Sequence, residues 1–579
     1  MRWFIEENKR KISTFDFKNH KDDIEMSGEK VSMIIGYGAD MNNNVYFTRE
    51  IIFPMFRIQP DVTTSSYKVF DNKELLNLGN EEFVKAEIDG ILSIYTKTDK
   101  YKIVHRFYPS LTLPIAYERI EIDGIYDIAF NEYERLETKL GCEGYIYAER
   151  VATKSIKNNK TIIDFAISAR FCNEDIPKEV NHFQNRRKRI NELLNECDLT
   201  TGNDIIDTMF AFAKIRAGES IYNTRNGRIN SPGGSNYYAG IWANDQCEYS
   251  TPWYAFTGDK ILNEAAFNAM EWFSRYMNDS YDPIVSSIIS EGTDYWNDRG
   301  DRGDAEMYLY GNSRLFLTLG IIPDDKHYKM LEWAANYIER QITDEGVVYS
   351  DTDELEFRLS SGINLSTSSL AYGAFKMYSV LLDRMGKNEE SIKYSKLADN
   401  IESSIEKYFG GNIKGFETYH YHKGCNEVRA WVTLPAYMGI TKRSKGSLDA
   451  IDKLLWNDGS CKSTENENVS WDRSALYYIA TCFRCRDTQR AYSKLIEFSE
   501  KRLLGDRVPY AVEAYPENNM RQLSAESALY CRIITDGLLN ITFNKDGYRV
   551  NSNIPKELKN IKIENIFING VYNSIEDIS

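Results

Sequence analysis

Histidine is scarce in this 579-residue chain: His20, His105, His182, His327, His420 and His422 are all there is. The one close pair, in "YHYHKG", stands at i, i+2 with no third ligand in sight, so a zinc-type metal has no donor set to hold it. No metal and no cofactor is expected. G-x-S-x-G, the P-loop and a strand-to-helix GxGxxG are all missing, which removes the serine-hydrolase elbow and two common nucleotide cradles. Long apolar runs are missing too. None reaches the roughly 20 residues of a membrane span, and the start, "MRWFIEENKRKIST", lacks the apolar stretch of a signal peptide. A cytoplasmic protein without membrane contact is the expectation. Positive charge is in deficit: 71 Lys+Arg minus 86 Asp+Glu gives −15, spread along the chain. Such a surface repels phosphate backbones and anionic lipid, so nucleic acid is not an expected partner. Nine cysteines, an odd number scattered through periodic segments, suit reduced buried thiols better than a disulfide framework. Cys482 and Cys485 form a lone CxxC inside a helical pattern, with no second pair to complete a metal site.

What is present is a soluble, globular composition, 42% hydrophobic with a mean hydropathy of −0.49, in a chain long enough for several domains. Residues 31–171 read as strands: "VSMIIGYG", "VYFTREIIFPMFRI", "YKIVHRFYP", "IAYERIEI", "GYIYAERVA" and "TIIDFAISARF" are short, β-branched and aromatic, with turn signals between them. "EIDGILSIYTKTDKYKIVHRF" alternates apolar and polar residues around Asp89-Gly90 and Thr98-Asp99, as consecutive antiparallel strands do. An antiparallel β-sandwich over 1–184 is expected, then a linker helix at 185–202. The tail at 541–579 returns to strand patterning as a β appendage.

Between them, 203–540 reads as twelve helices, from 203–217 through 304–319 to 520–538. Long loops rich in Gly, Asn, Asp and Trp alternate with short turns such as "FTGD" and "CRD", the pattern of six helical hairpins. Unusual polar and aromatic clusters open each even-numbered helix: "IWANDQ", "RGDAEMY", "GINLSTSS", "EVRAWVTLP", "NVSWDRSA" and "VEAYPENNMRQLSAES". In a closed ring of hairpins these six segments emerge at one end and can share one site.

These motifs resemble the six-hairpin, (α/α)6-barrel glycoside hydrolases, and are similar in kind to those of trehalases and processing α-glucosidase I relatives. "IWAND" resembles their Trp-Asp segment lining the sugar subsite, and "SWDR" a Trp-Arg segment. "RGDAEMYLYG" is similar to the Gly-x-Asp-x-Ser segment supplying the catalytic acid, without its Ser, and "VEAYP" to the Glu-x-Tyr segment supplying the base. The resemblance implies an acid at Asp304, a base at Glu513 and a carbohydrate substrate.

The residues themselves carry that chemistry in outline. Glycoside hydrolysis needs one carboxylic acid to protonate the leaving oxygen and one carboxylate to activate water or attack carbon. Asp304 can equally serve a helix start, and Glu306, two residues on, is its rival. Glu513 lies between Pro509 and Pro516; Glu517 and Glu526 are alternatives, Glu526 also as a partner for an arginine such as Arg521. Tyr238, Trp242, Trp296, Trp431 and Trp471 can stack on sugars, while Asp245, Arg429, Asp472 and Arg473 can bind hydroxyls. Trp253, Trp272 and Trp333 fall at core spacing inside helices. An inverting hydrolase is the leading expectation; a phosphorolytic relative of the same architecture, or a carbohydrate-binding scaffold without activity, are the alternatives.

Overall fold

Residues 2–6, 9–62, 67–71, 74–76, 81–141, 143–233, 240–296, 300–354, 362–505, 509–515 and 525–576 are described in a computed structural model of the protein. Strand alternation builds its first third. Glu82–Ile88, Leu92–Lys97 and Lys102–Pro109 pair antiparallel in succession. The turn at Gly90 has φ +82°, and a side chain there would strike Ile190 at 2.7 Å, so glycine is required. Nine strands share one antiparallel sheet, ordered Phe4–Ile5, Ile12–Thr14, Glu82–Ile88, Leu92–Lys97, Lys102–Pro109, Ile115–Asp123, Lys160–Phe171, Gly144–Lys157, Tyr133–Gly141. A second sheet of three strands, His20–Gly28, Val31–Ala39 and Val45–Ile52, packs onto its central strands. Ile24, Met26, Met33 and Ile35 of the small sheet share one buried cluster with Ile94, Phe107 and Ala116 of the large one. "VYFTREIIFPMFRI" remains a strand only to Ile52, because Pro54 has no N–H for a ladder and opens a 3-10 turn instead.

Helix α1, His182–Asn195, follows. Its buried Arg186 donates to Gly90 O at 2.9 Å and to Ser27 O at 3.2 Å, and pairs with Glu219 of the next helix. The sheets are thereby tied to what comes after. Strand Asp198–Thr200 pairs with Lys562–Ile568, and that with Val571–Glu576, so the last strands fold back onto the linker.

Among the described residues twelve more helices follow: α2 Asp204–Glu219, α3 Thr251–Thr257, α4 Lys260–Ser274, α5 Asp304–Leu319, α6 Asp325–Arg340, α7 Leu365–Arg384, α8 Asn388–Tyr408, α9 Leu434–Met438, α10 Ser444–Leu454, α11 Asp472–Arg484, α12 Thr488–Leu504 and α13 Ala525–Arg532. A π-helical turn, Asn244–Ser250, leads into α3, a 3-10 turn into α9, and a second π-turn, Ile533–Leu538, ends α13. α3, α5, α7, α9, α11 and α13 each pack on the next, and α13 packs on α3, which closes a ring. Burial follows this division. α5 is buried along its whole length, whereas α6 buries only Leu331, Ala334, Ala335, Tyr337 and Ile338, one stripe of an outer helix. No described helix is long and apolar enough to cross a membrane, and every described cysteine is a free thiol.

Inside the ring, polar side chains from different helices meet. Asp536 accepts from Arg314 at 2.8 and 2.5 Å, from Arg532 at 2.9 Å and from the Tyr437 hydroxyl at 2.8 Å. Burial alone would raise its carboxyl, but Arg314 and Arg532 hold it well below the usual carboxylate range. Replacing Asp536 with Ala would leave two guanidinium groups buried without their counterion. We expect a loss of about 3–5 kcal/mol and a smaller one for Asp536→Asn, measured as the drop in calorimetric Tm.

Candidate active site

The ring helices begin at segments that bind one another. At the first, Ile241–Trp242, Ser287–Ile289 and Asp294–Trp296 form a three-stranded sheet in which Trp242, Ser287 and Trp296 lie side by side. Ala243 N donates to Ser286 O at 3.0 Å. Ser286 Oγ in turn donates to Asp304 Oδ2 at 3.1 Å, joined there by Arg302 N at 3.2 Å. The Arg302 guanidinium lies 3.4 Å from Asp304 Oδ1.

Gly303 at φ +85° starts α5, and no side chain caps it. Asp301 braces this turn through Gly303 N at 2.9 Å, so Asp304 is not the capping group. Asp304 is fully buried; burial raises its carboxyl, and Arg302 offsets part of that. Asp301, bonded by Tyr337 at 2.6 Å, is pushed up to about 6 by burial and then by Asp304. Glu306 is fully buried as well, and neither of its oxygens has a hydrogen-bond partner among the described residues. Burial first, then Asp301, raises it well above its ordinary value, with Asp304 adding to the rise.

Across the ring, strand Ser470–Trp471 pairs with Ala514–Tyr515, which ties the start of α11 to the loop before α13. Asp472 secures this junction. It binds Arg502 through both carboxylate oxygens and accepts from Val512 N at 2.9 Å, while its own N–H donates to Glu513 O at 3.1 Å. Asp472 therefore holds backbone, where the sequence suggested a hydroxyl ligand. Arg473 points the other way. Its Nη2 lies 2.6 Å from Glu526, 3.3 Å from Glu513 and 3.8 Å from Asp245, and Nε also reaches Glu526 at 2.9 Å. Glu526 is thus the partner of an arginine, though of Arg473. The Glu526 side chain is 0% exposed and that of Glu513 17%, so of the two Glu513 is the one open to a substrate or water.

Asp245 stands between the two halves. Burial raises its carboxyl well above the ordinary value, Arg473 and Arg302 pull it back, and Glu526 and Glu513 add to the rise. The groups flanking Asp304 and those flanking Glu513 therefore share one electrostatic neighbourhood. Trp471 and Trp242 are half-buried, with the Arg473 guanidinium 5.3 Å from the Trp471 ring centre. Trp431 is fully buried edge-on to Tyr477 at 5.5 Å; it packs and offers no face for stacking. Arg429 is buried over the Tyr421 ring at 4.5 Å. Trp253 and Trp272 are buried inside their helices. Tyr238, Glu517 and Arg521 lie outside the described residues.

Three tyrosine–carboxylate pairs escaped the sequence reading: Tyr477 donates to Glu248, Tyr249 to Glu354 and Tyr421 to Asp353. Glu248 and Tyr249 belong to "GIWANDQCEY" itself, but their partners are far along the chain. Burial pushes Glu248 up to about 7, with Tyr477 and then Arg532 opposing.

Searched against protein-family models the chain matches none, and no curated protein matches it. Solved structures do. A candidate kojibiose phosphorylase from the human microbiome superposes with a TM-score of 0.62 at 10% identity, over 99% of this chain and 94% of its own. A bacterial glucoamylase complexed with acarbose gives 0.55 at 11% identity, over 90% and 95%. A sialidase gives 0.52 at 11% identity, over 94% of this chain and 63% of its own. The fold is that of glycoside hydrolase- and phosphorylase-type structures.

Two outcomes follow from the charges at this site. Arg473→Met leaves buried carboxylates without their counterion and should cost about 3–5 kcal/mol. Adding Glu526→Gln should recover part of it, read from Tm in a double-mutant cycle. Glu248 contributes one part of the pH dependence. Its folded value, about 7, lies above the 4.5 of the free side chain. The unfolded chain therefore releases this proton first, and the stabilisation, complete below about pH 4.5, declines as pH rises towards 7. Glu248→Gln should flatten that part of a Tm-against-pH curve.

Proposed function

We propose that the protein is an inverting glycoside hydrolase built on a six-hairpin (α/α)6 barrel, spanning 203–540, with Asp304 as general acid and Glu513 as general base. The observation that carries this reading is the pairing of two differently housed carboxyls in one neighbourhood. Asp304 is buried and raised, suited to keep and then donate a proton, while Glu513 stays partly open beside Arg473. Ser286 and Arg302 aim the Asp304 carboxyl; Asp472 and Arg473 fix Glu513 on either side of its peptide. Trp242, Trp296 and Trp471 supply aromatic surface for a sugar ring, and the substrate class is an oligosaccharide or glycoside. A dedicated phosphate would have to sit among the carboxylates Glu513, Glu526 and Asp245 that already share Arg473, which favours water over phosphate as the acceptor, although one structure of this fold is a phosphorylase candidate.

In the mechanism that follows, Asp304 protonates the leaving oxygen while Glu513 takes a proton from water attacking the opposite face of the ring. A separation of about 6.5–9.5 Å between the carboxyls accommodates that water. A panel of aryl glycosides and disaccharides identifies the substrate. With it, Asp304→Asn should slow poor leaving groups by roughly 100- to 10,000-fold and activated ones far less, whereas Glu513→Gln should depress both alike. Glu306→Gln should leave both near normal. NMR of the anomeric proton during turnover should show inversion, at a rate indifferent to added phosphate. Retention, sugar phosphate as product, or a normal rate for Glu513→Gln would defeat the assignment; a Glu306→Gln profile like that expected of Asp304→Asn would transfer the acid role to Glu306.

A further inference from the structure

A sheet with a buried edge has to satisfy that strand's outward backbone groups, and His20–Gly28 is the first strand of its sheet. Its Glu25 is capped by a side chain from the opposite end of the sequence. Glu25 N–H donates to the Tyr510 hydroxyl at 3.1 Å, and that hydroxyl donates to Glu25 O at 3.2 Å. One oxygen closes both groups. Tyr510 is buried, with the Arg216 guanidinium 5.4 Å from its ring centre. Arg216 pairs with the Glu25 carboxylate at 2.9 Å, and Ser32 donates to the same carboxylate at 2.6 Å. A cavity of about 20 Å³ beside them, room for one water, is lined by Glu25, Arg216, Glu219 and Tyr510. Gly233 lies against the same pair: a side chain there would meet Arg216 at 2.5 Å and Glu25 at 3.0 Å.

From Tyr510 to Glu513 the chain is held at every step. Ala511 O accepts from Ser527 Oγ at 3.3 Å, Val512 N donates to Asp472 at 2.9 Å, Glu513 O accepts from Asp472 N at 3.1 Å, and Ala514 pairs with Trp471. Three residues span at most about 10 Å, so Tyr510 and Glu513 belong to one short stretch anchored along its length.

We propose that Tyr510, anchored on Glu25 of the sheet domain, is a positioning residue for Glu513, which makes the sheet domain a working part of the catalytic apparatus. The inference rests on the reading of Glu513 as the base. Tyr510→Phe keeps the ring and removes both hydroxyl bonds; Glu25→Gln keeps the strand's backbone and removes the charge facing Arg216. Both are assayed in the full chain on an aryl glycoside and a disaccharide of the same sugar, beside Glu513→Gln. We expect Tyr510→Phe to lower kcat about tenfold, equivalent to about 1.4 kcal/mol, equally on the two substrates, with KM changed less than twofold. Tm should fall by only a few degrees, and Glu25→Gln should show a smaller loss of the same kind. A base out of place is indifferent to the leaving group, whereas general loosening of the site is not. Wild-type kcat in Tyr510→Phe, a loss concentrated on the disaccharide, or a change confined to KM or Tm would overturn the proposal while Glu513→Gln remained inactive. Normal turnover by Glu513→Gln would instead sink the base assignment, and this proposal with it.

Discussion

The arrangement of the candidate site depends on one guanidinium, that of Arg473. Glu526, Glu513 and Asp245 come from three separated parts of the sequence, and in a water-poor interior their mutual repulsion would drive those parts asunder. Arg473 draws them together. It can do so because the residue before it, Asp472, has already fastened the two strands on which Trp471 and Glu513 sit. Two adjacent side chains with opposite charge thus divide the work, one facing the backbone and the other the cavity side.

Elsewhere in the site Arg302 stands beside Asp304, and several other carboxyls are met by phenols. Tyr477, Tyr249 and Tyr421 each offer a hydroxyl to a buried carboxyl, and Tyr337 does the same for Asp301. A phenol donates a strong hydrogen bond and contributes ring surface in one side chain. The result is a carboxyl-rich interior, with Arg314 and Arg532 sharing the single carboxylate of Asp536 further along the ring helices. Such an interior suits a reaction that gives and takes protons.

The sequence disclosed what depends on local period and much less of what depends on distant partners. Strands around Asp89-Gly90 and the helices at 325–341 and 388–408 are visible because burial of one face imposes a repeat. The clustering of polar segments at helix starts was visible for the same reason. Asp472 was misread, because its partner Arg502 lies a full helical hairpin away and a Trp-Asp-Arg triplet in isolation looks like a ligand set. Trp431 was misread because an aromatic residue at a helix start can face either way, and only Tyr477 decides which. Glu306 and Asp304 are two residues apart on one turn, and what separates them, Ser286 against no hydrogen-bond partner among the described residues, is contributed by another segment.

The two π-turns also lie beyond any periodic signal, since each is a place where the helical repeat is interrupted. A π-turn holds one more residue than the α-helical turn it replaces, so everything on its far side is rotated by about 100° relative to an uninterrupted helix. Asn244–Ser250 carries both Asp245, 3.8 Å from the Arg473 guanidinium, and Glu248, whose carbonyl receives Arg532. An ordinary α-helical phase through this turn would change the angle between those two contacts. The helix carries a built-in phase offset, with which one short stretch meets both Arg473 and Arg532.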